Sequence, residues 1–213
     1  MFKISVFSAF ILGMTVVSCG KDKPLSSVNN EVTTTTEGNS FQVDTLNSKI
    51  EWKGFKILKS DNTSHFGTIK FESGDVTVKD GKLESGKFVA DMNSLTSVDL
   101  KDDAEQLNKL NGHLKSGDFF EVEKFPTATY TITSLKKNND KIYNYIVNGN
   151  LTVKGKTAPV SFPAKISYSK GVVSLVSQKF TFDRQKFDVA YKSAMKDVLV
   201  KDDIDMLVKV TAK

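Results

Sequence analysis

Few residues in this chain have types and spacings that could carry chemistry. Cys19 is the only cysteine, and it closes the run Val16-Val17-Ser18-Cys19. Two aliphatics, a small residue and a cysteine make the pattern at which a lipoprotein signal peptidase cuts, the thiol then carrying a diacylglyceryl group. A lone thiol in a secreted chain has no intrachain disulfide to form. His65 reads as part of a polar loop and His113 lies near a helix end, and neither has further ligands spaced for a metal. No metal and no cofactor is expected. The adjacent acids Asp102-Asp103 and Asp202-Asp203 diverge on any regular element and read as solvated surface. There is no Gly-x-Ser-x-Gly and no glycine-rich phosphate loop. No nucleophile pairs with a base, so the chain is not expected to be an enzyme. Arg184 is the only arginine, beside 29 lysines. It could bridge to a carboxylate such as Asp183 or Asp188, or meet a ligand head group, and the sequence leaves both open.

The cysteine ends an address. Lys3 gives a short positive region, and Ile4 to Val17 form an apolar stretch too short to span a bilayer. The expectation is a lipoprotein signal peptide over 1–18 and a lipidated Cys19 as the mature N-terminus. The chain would then be lipid-anchored to a membrane of the bacterial cell envelope, facing the periplasm or the cell surface. Two acyl chains make such attachment stable, at about 0.8 kcal/mol per buried methylene. Gly20 to Ser40 holds two valines, one leucine and no aromatic residue, too little to bury a core, so 19–40 reads as a flexible tether. The remainder, 41–213, is enough for one well-cored domain. Loss of Lys3 takes one from the formal charge of +5, and the remaining signs are interspersed without a basic block. No nucleic-acid partner is expected.

The elements that must position these residues are β nearly throughout. From Phe41 onward the hydrophobic period is two: Ile50 to Lys53, Thr68 to Glu72, Val76 to Lys79, then Leu83 to Met92 after the turn dipeptide Asp80-Gly81. Further alternating stretches run over 128–135, 142–153, 160–168, 172–182 and 203–210, separated by Asn138-Asn139-Asp140, Gly155, Lys170-Gly171 and a charged patch near Lys201-Asp202. Only 101–114 has helical spacing, through Ala104, Leu107, Leu110 and Leu114. Eight or more short-spaced strands with one inserted helix predict an all-β antiparallel sandwich or closed barrel. The inward-parity positions are large and mostly apolar: Trp52, Phe71, Phe88, Ala90, Met92, Tyr130, Ile132, Tyr145, Phe162, Ile166, Phe182 and Met206. A barrel of about eight strands is either filled by such side chains or holds one small ligand among them. Periodicity alone does not choose between these.

Several segments together resemble the YceI-like family of lipocalin-like barrels. Phe41-Gln42-Val43-Asp44 with Lys49-Ile50-Glu51-Trp52 is similar to the family's opening strand, and Gly67-Thr68-Ile69-Lys70-Phe71 to the strand that follows. Asp91 to Leu95 resembles the end of the strand before its helix. Gly112 to Phe120 with Lys124-Phe125-Pro126-Thr127-Ala128-Thr129-Tyr130 resembles the helix end and the entry to the next strand. Gly149 to Thr157 resembles its Gly-x-Leu-Thr hairpin, and Phe182-Asp183-Arg184 with Phe187 its late arginine segment. The ordered set covers 41–211. It departs at Gly54-Phe55-Lys56, where many members have a histidine, and at Asn111 and Gln185 to Asp188. The resemblance implies a closed antiparallel β-barrel with a helix across one end, binding an elongated, isoprenoid-like apolar lipid without catalysis. The alternative is a barrel filled by its own side chains, serving as an envelope stress or interaction module.

The polar spacing between Cys19 and the first strand separates anchor from core. Cys19→Ser is therefore expected to abolish membrane attachment and leave the barrel folded. Cell fractionation checks this, and a mutant that still sediments with membranes would contradict it.

Overall fold

The structure, a computed structural model, describes residues 35, 37–58, 61–191 and 198–213. The anticipated leader and Cys19 lie outside these residues. Eleven strands form one sheet: β1 Asn39–Gln42, β2 Lys49–Leu58, β3 Asp61–Lys79, β4 Lys82–Ser97, β5 Thr127–Lys137, β6 Tyr145–Val153, β7 Lys156–Ser169, β8 Val172–Ser177, β9 Phe180–Asp183, β10 Val198–Val200 and β11 Asp203–Ala212. A helix, α1 Ala104–Lys115, lies between β4 and β5. Pairing runs β2-β3-β4-β5-β6-β7-β8-β11 and returns from β11 to β2, all antiparallel, so eight staves close a ring. The all-β barrel read from the sequence is the fold.

Three further strands arise because three staves are broken. β1 continues the β2 stave: it pairs with β3 through Asn39↔Val78 to Gln42↔Asp75, and Val43 bridges Ala212. β8 and β9 share one stave against β11, and β10 and β11 share one against β2. The single strand anticipated over 172–182 is thus two. At each break a buried polar side chain takes up backbone groups that the ladder leaves unpaired. Ser48 Oγ accepts from Thr211 N at 3.0 Å and donates to Thr211 O at 3.3 Å. Ser177 Oγ accepts from Val208 N at 2.8 Å. Arg184, in a 3-10 turn that follows β9, fills the gap between β10 and β11.

Turn chemistry fixes the register. Asp80-Gly81, Lys154-Gly155 and Lys170-Gly171 all have positive φ at both positions, from 49° to 75°, the type I′ geometry whose twist matches antiparallel strands. The turns at 80–81 and 170–171 mark one end of the barrel, and α1 lies at the other. Helix α1 starts one turn later than its hydrophobic spacing suggests, because Asp103 is its N-cap and accepts from Gln106 N at 3.0 Å. Asp103 is thus a structural residue as well as a surface one. Asn111 pins the helix to β4, accepting from Ser97 N at 2.9 Å and donating to Thr96 Oγ1 at 3.0 Å.

The end opposite α1 is packed solid. Val76, Val78, Leu83, Ile132, Val173 and Ala212 are buried there, and the Phe41 ring meets Tyr168 edge-on at 5.4 Å. Higher in the barrel Tyr130 lies across Gly149. A Cβ on that glycine would come within 2.3 Å of the phenol ring and 2.6 Å of the Thr131 carbonyl. Tyr130 Oη donates to Val160 O at 2.9 Å, and burial pushes its phenol well above the ordinary range. Gly149→Ala must displace both ring and backbone, and is expected to destabilise the protein by about 1–3 kcal/mol. Urea unfolding measures this; an unchanged midpoint would show that the Tyr130 contact is not confining.

Candidate functional site

Above the packed end the barrel is hollow. A cavity of about 410 Å³ runs from mid-barrel to the underside of α1. Of the inward positions named from parity, Trp52, Phe71, Phe88, Ala90, Met92, Tyr130, Phe162, Phe182 and Met206 line it. Ile132, Tyr145 and Ile166 do not. Ile132 and Ile166 are buried in the filled end, and Tyr145 sits beside Lys82, Leu135 and Lys137 in a shallow depression there. Their parity is right and their height is wrong. The reading of a barrel filled along its whole length holds only for that end.

Other lining residues escaped the sequence reading. Phe119, Phe120 and Tyr191 come from irregular segments, where no period places a side chain. Phe180 shares the parity of Phe182 and could have been named with it; its ring stacks on Phe162 at 4.4 Å. Leu110 and Leu114 bring the apolar stripe of α1 onto the cavity. The helix is thus a cover for the hollow end. His113, in its last turn, meets Phe119 and Tyr191 edge-on at 5.0 and 4.8 Å, with Nδ1 at 3.4 Å from Asp118 Oδ2.

Arg184 lines the cavity but its donors are engaged by the protein. Nε donates to Lys201 O at 3.0 Å, Nη2 to Val200 O at 3.2 Å and to Asp202 Oδ1 at 2.9 Å, and Nη1 to Val189 O. The carboxylate partner is Asp202, and neither Asp183 nor Asp188: Asp183 caps Gln185 N, and Asp188 pairs with Lys156. Asp202 is therefore no simple surface acid. The Arg184 side chain is 3% exposed, so the guanidinium is the buried rivet of the β10–β11 break and of the segment carrying Val189.

His65 is a strand residue of β3 and stands opposite Gly54, correcting its assignment to a loop. Its Nδ1 lies 2.8 Å from Asp99 Oδ2, while Asp99 Oδ1 accepts from Phe66 N at 3.0 Å and Ser97 Oγ at 2.5 Å. Burial acts to raise the Asp99 pKa, but these hydrogen bonds, Ser97's foremost, hold it below the usual carboxylate range. The carboxylate stands between imidazole and hydroxyl. Ser97 thus meets the carboxylate and not the imidazole, which is not the order a nucleophilic triad needs.

Fold and site together define a lipocalin-like protein: a closed antiparallel barrel with one apolar internal cavity and a helix across its end. The YceI-like domain model matches residues 41–212. Protein YceI of Escherichia coli O157:H7 is 30% identical over 159 residues, 75% of this chain and 72% of that protein. The Salmonella arizonae protein is 35% identical over 121 residues, 57% of this chain and 55% of the relative. The chain belongs to the YceI-like family. Among solved structures, BcnA of Burkholderia cenocepacia shares the fold with a TM-score of 0.61 at 20% identity, covering 80% of this chain and 99% of BcnA. A polyisoprenoid binding domain from Saccharophagus degradans does so at 0.55 and 10%, covering 81% and 97%.

Arg184→Lys keeps the charge but cannot reach four acceptors at once. It is expected to lower stability by roughly 3 kcal/mol, because buried carbonyls lose charged donors. Chemical denaturation of the variant measures the loss; a change under 0.5 kcal/mol would show that the network is dispensable.

Proposed function

We propose that this protein binds an elongated apolar lipid of isoprenoid type inside its barrel, holds it at the cell envelope through a lipid anchor on Cys19, and does so without turnover. The observation that carries the reading is the hollow half of the barrel, walled by aromatic and aliphatic side chains from all eight staves and α1. A volume of about 410 Å³ lies in the usual range of small-molecule sites. At about 25 cal/mol per Å² of apolar area removed from water, burying a few hundred Å² gives several kcal/mol before ordering costs. That is enough for a ligand held by dry contact alone. Membership of the YceI-like family and a fold neighbour named as polyisoprenoid-binding support the same ligand class. The Val16-Val17-Ser18-Cys19 run supports the anchor. The Ser97–Asp99–His65 order, in which the imidazole faces the carboxylate and the hydroxyl does not reach the imidazole, supports binding over catalysis.

Ala90 lines the cavity between Phe88 and Met92, so a larger side chain there grows into the space a ligand would take. Ala90→Phe is expected to abolish binding of a long polyprenyl alcohol and to leave the β-rich circular-dichroism spectrum intact. Trp52, the only tryptophan, lines the cavity and reports entry by its emission. If saturating polyprenol below its micelle threshold moves neither Trp52 emission nor thermal stability of the wild type, the reading fails. Native mass spectrometry of gently purified protein offers an independent test through a co-purifying apolar ligand.

A further inference from the structure

The ionisable groups of the cavity are lopsided in sign. Among the described lining residues, Lys56, His65, His113 and Arg184 carry basic nitrogens, and no aspartate or glutamate lines the cavity. Two of the four bases are committed elsewhere. Arg184 is bound to Asp202 and to the carbonyls of Val189, Val200 and Lys201. His113 packs edge-on against Phe119 and Tyr191 and faces Asp118.

Lys56 and His65 remain, and they are neighbours. They lie on the paired strands β2 and β3, where His65 is opposite Gly54 and Lys56 opposite Thr63. Gly54 and Lys56 share a strand face, so Lys56 is the diagonal neighbour of His65, at a Cα separation of about 7–8 Å. Gly54 puts no side chain beside the imidazole. The Lys56 ammonium makes no ion pair among the described residues. His65 is held by Asp99 through Nδ1, which leaves Nε2 as the ring's remaining polar atom. Asp99 is itself fixed by Ser97 and the Phe66 amide. A lysine and an oriented imidazole thus stand as diagonal neighbours at the partly exposed edge of a largely apolar cavity.

We propose that Lys56 and His65 form an anionic head-group site at the rim, so that the preferred ligand is a long apolar chain ending in a phosphate or carboxylate, with Asp99 as the residue that positions His65. This rests on the lipid-binding reading and names the ligand class within it. Charge-assisted hydrogen bonds to the anion supply the selectivity that the apolar wall cannot.

The test titrates the full chain with a polyprenyl monophosphate and with the polyprenol of equal length, followed by Trp52 emission. Wild type is expected to bind the phosphate about tenfold more tightly or better. In Lys56→Glu and His65→Gln the phosphate-to-alcohol affinity ratio is expected to collapse toward one. Asp99→Asn should lower the ratio partway, and thermal melting confirms that each variant is folded. Equal affinity of wild type for the two lipids overturns the head-group site and leaves the lipid-binding reading standing. A ratio that survives in both Lys56→Glu and His65→Gln also overturns it. Binding of neither lipid overturns both readings. Inorganic phosphate alone is the remaining arm: if it stabilises wild type as strongly as the lipid phosphate and loses that effect in the variants, the site takes free anions and the lipid assignment is wrong.

Discussion

Closure of the sheet by β2 against β11 is the contact on which the molecule depends. Lys49 to Lys53 pair with Asp205 to Lys209, joining strands from opposite ends of the described chain. Without that seam the sheet would expose two long edges and could not enclose a volume. With it, every stave has two neighbours and the interior is sealed from the sides. Trp52 and Met206 face each other across the seam, and both line the cavity. The residues that close the barrel therefore also shape its hollow.

The closed ring is interrupted by breaks in three staves. Each break is mended by one buried polar side chain: Ser48, Ser177 or Arg184. The repair scales with the gap. A serine hydroxyl suffices where few groups are left unpaired, whereas between β10 and β11 several carbonyls converge and only a guanidinium has the donors to meet them. The lone arginine of a lysine-rich chain is explained by that geometry. The same break lies beside the cavity, so the repair also shapes the rim.

Much of this was legible in the residues, and what was missed has a common origin. Alternation placed Trp52, Phe71, Phe88, Tyr130, Phe162 and Phe182 on the inner face, and there they are. A period of two states which face a side chain takes and nothing about its height, which is why Ile132, Tyr145 and Ile166 shared the parity and missed the cavity. Phe119, Phe120 and Tyr191 sit on backbone with no period to read. The partners of Arg184 are mostly main-chain carbonyls brought together by the fold, and carbonyls leave no mark in a sequence. His65 looked like loop because its neighbours Asn62, Thr63 and Ser64 are polar, yet a long β2–β3 ribbon needs only pairing.

The two ends of the barrel differ in one more respect. Gln42 and Lys213 exchange backbone hydrogen bonds of 3.1 and 3.0 Å, and the Lys213 ammonium reaches Asp44 at 2.6 Å. Both the entry of the chain into the sheet and Lys213 are thus sewn into the solid end, away from α1 and the hollow. A handle joined at Lys213, whether an affinity tag, a fluorescent partner or a sensor chip, grips the molecule by its base. Barrels captured in this way stand with their cavities pointing into solution, so a surface coated with them would present its sites uniformly and unobstructed.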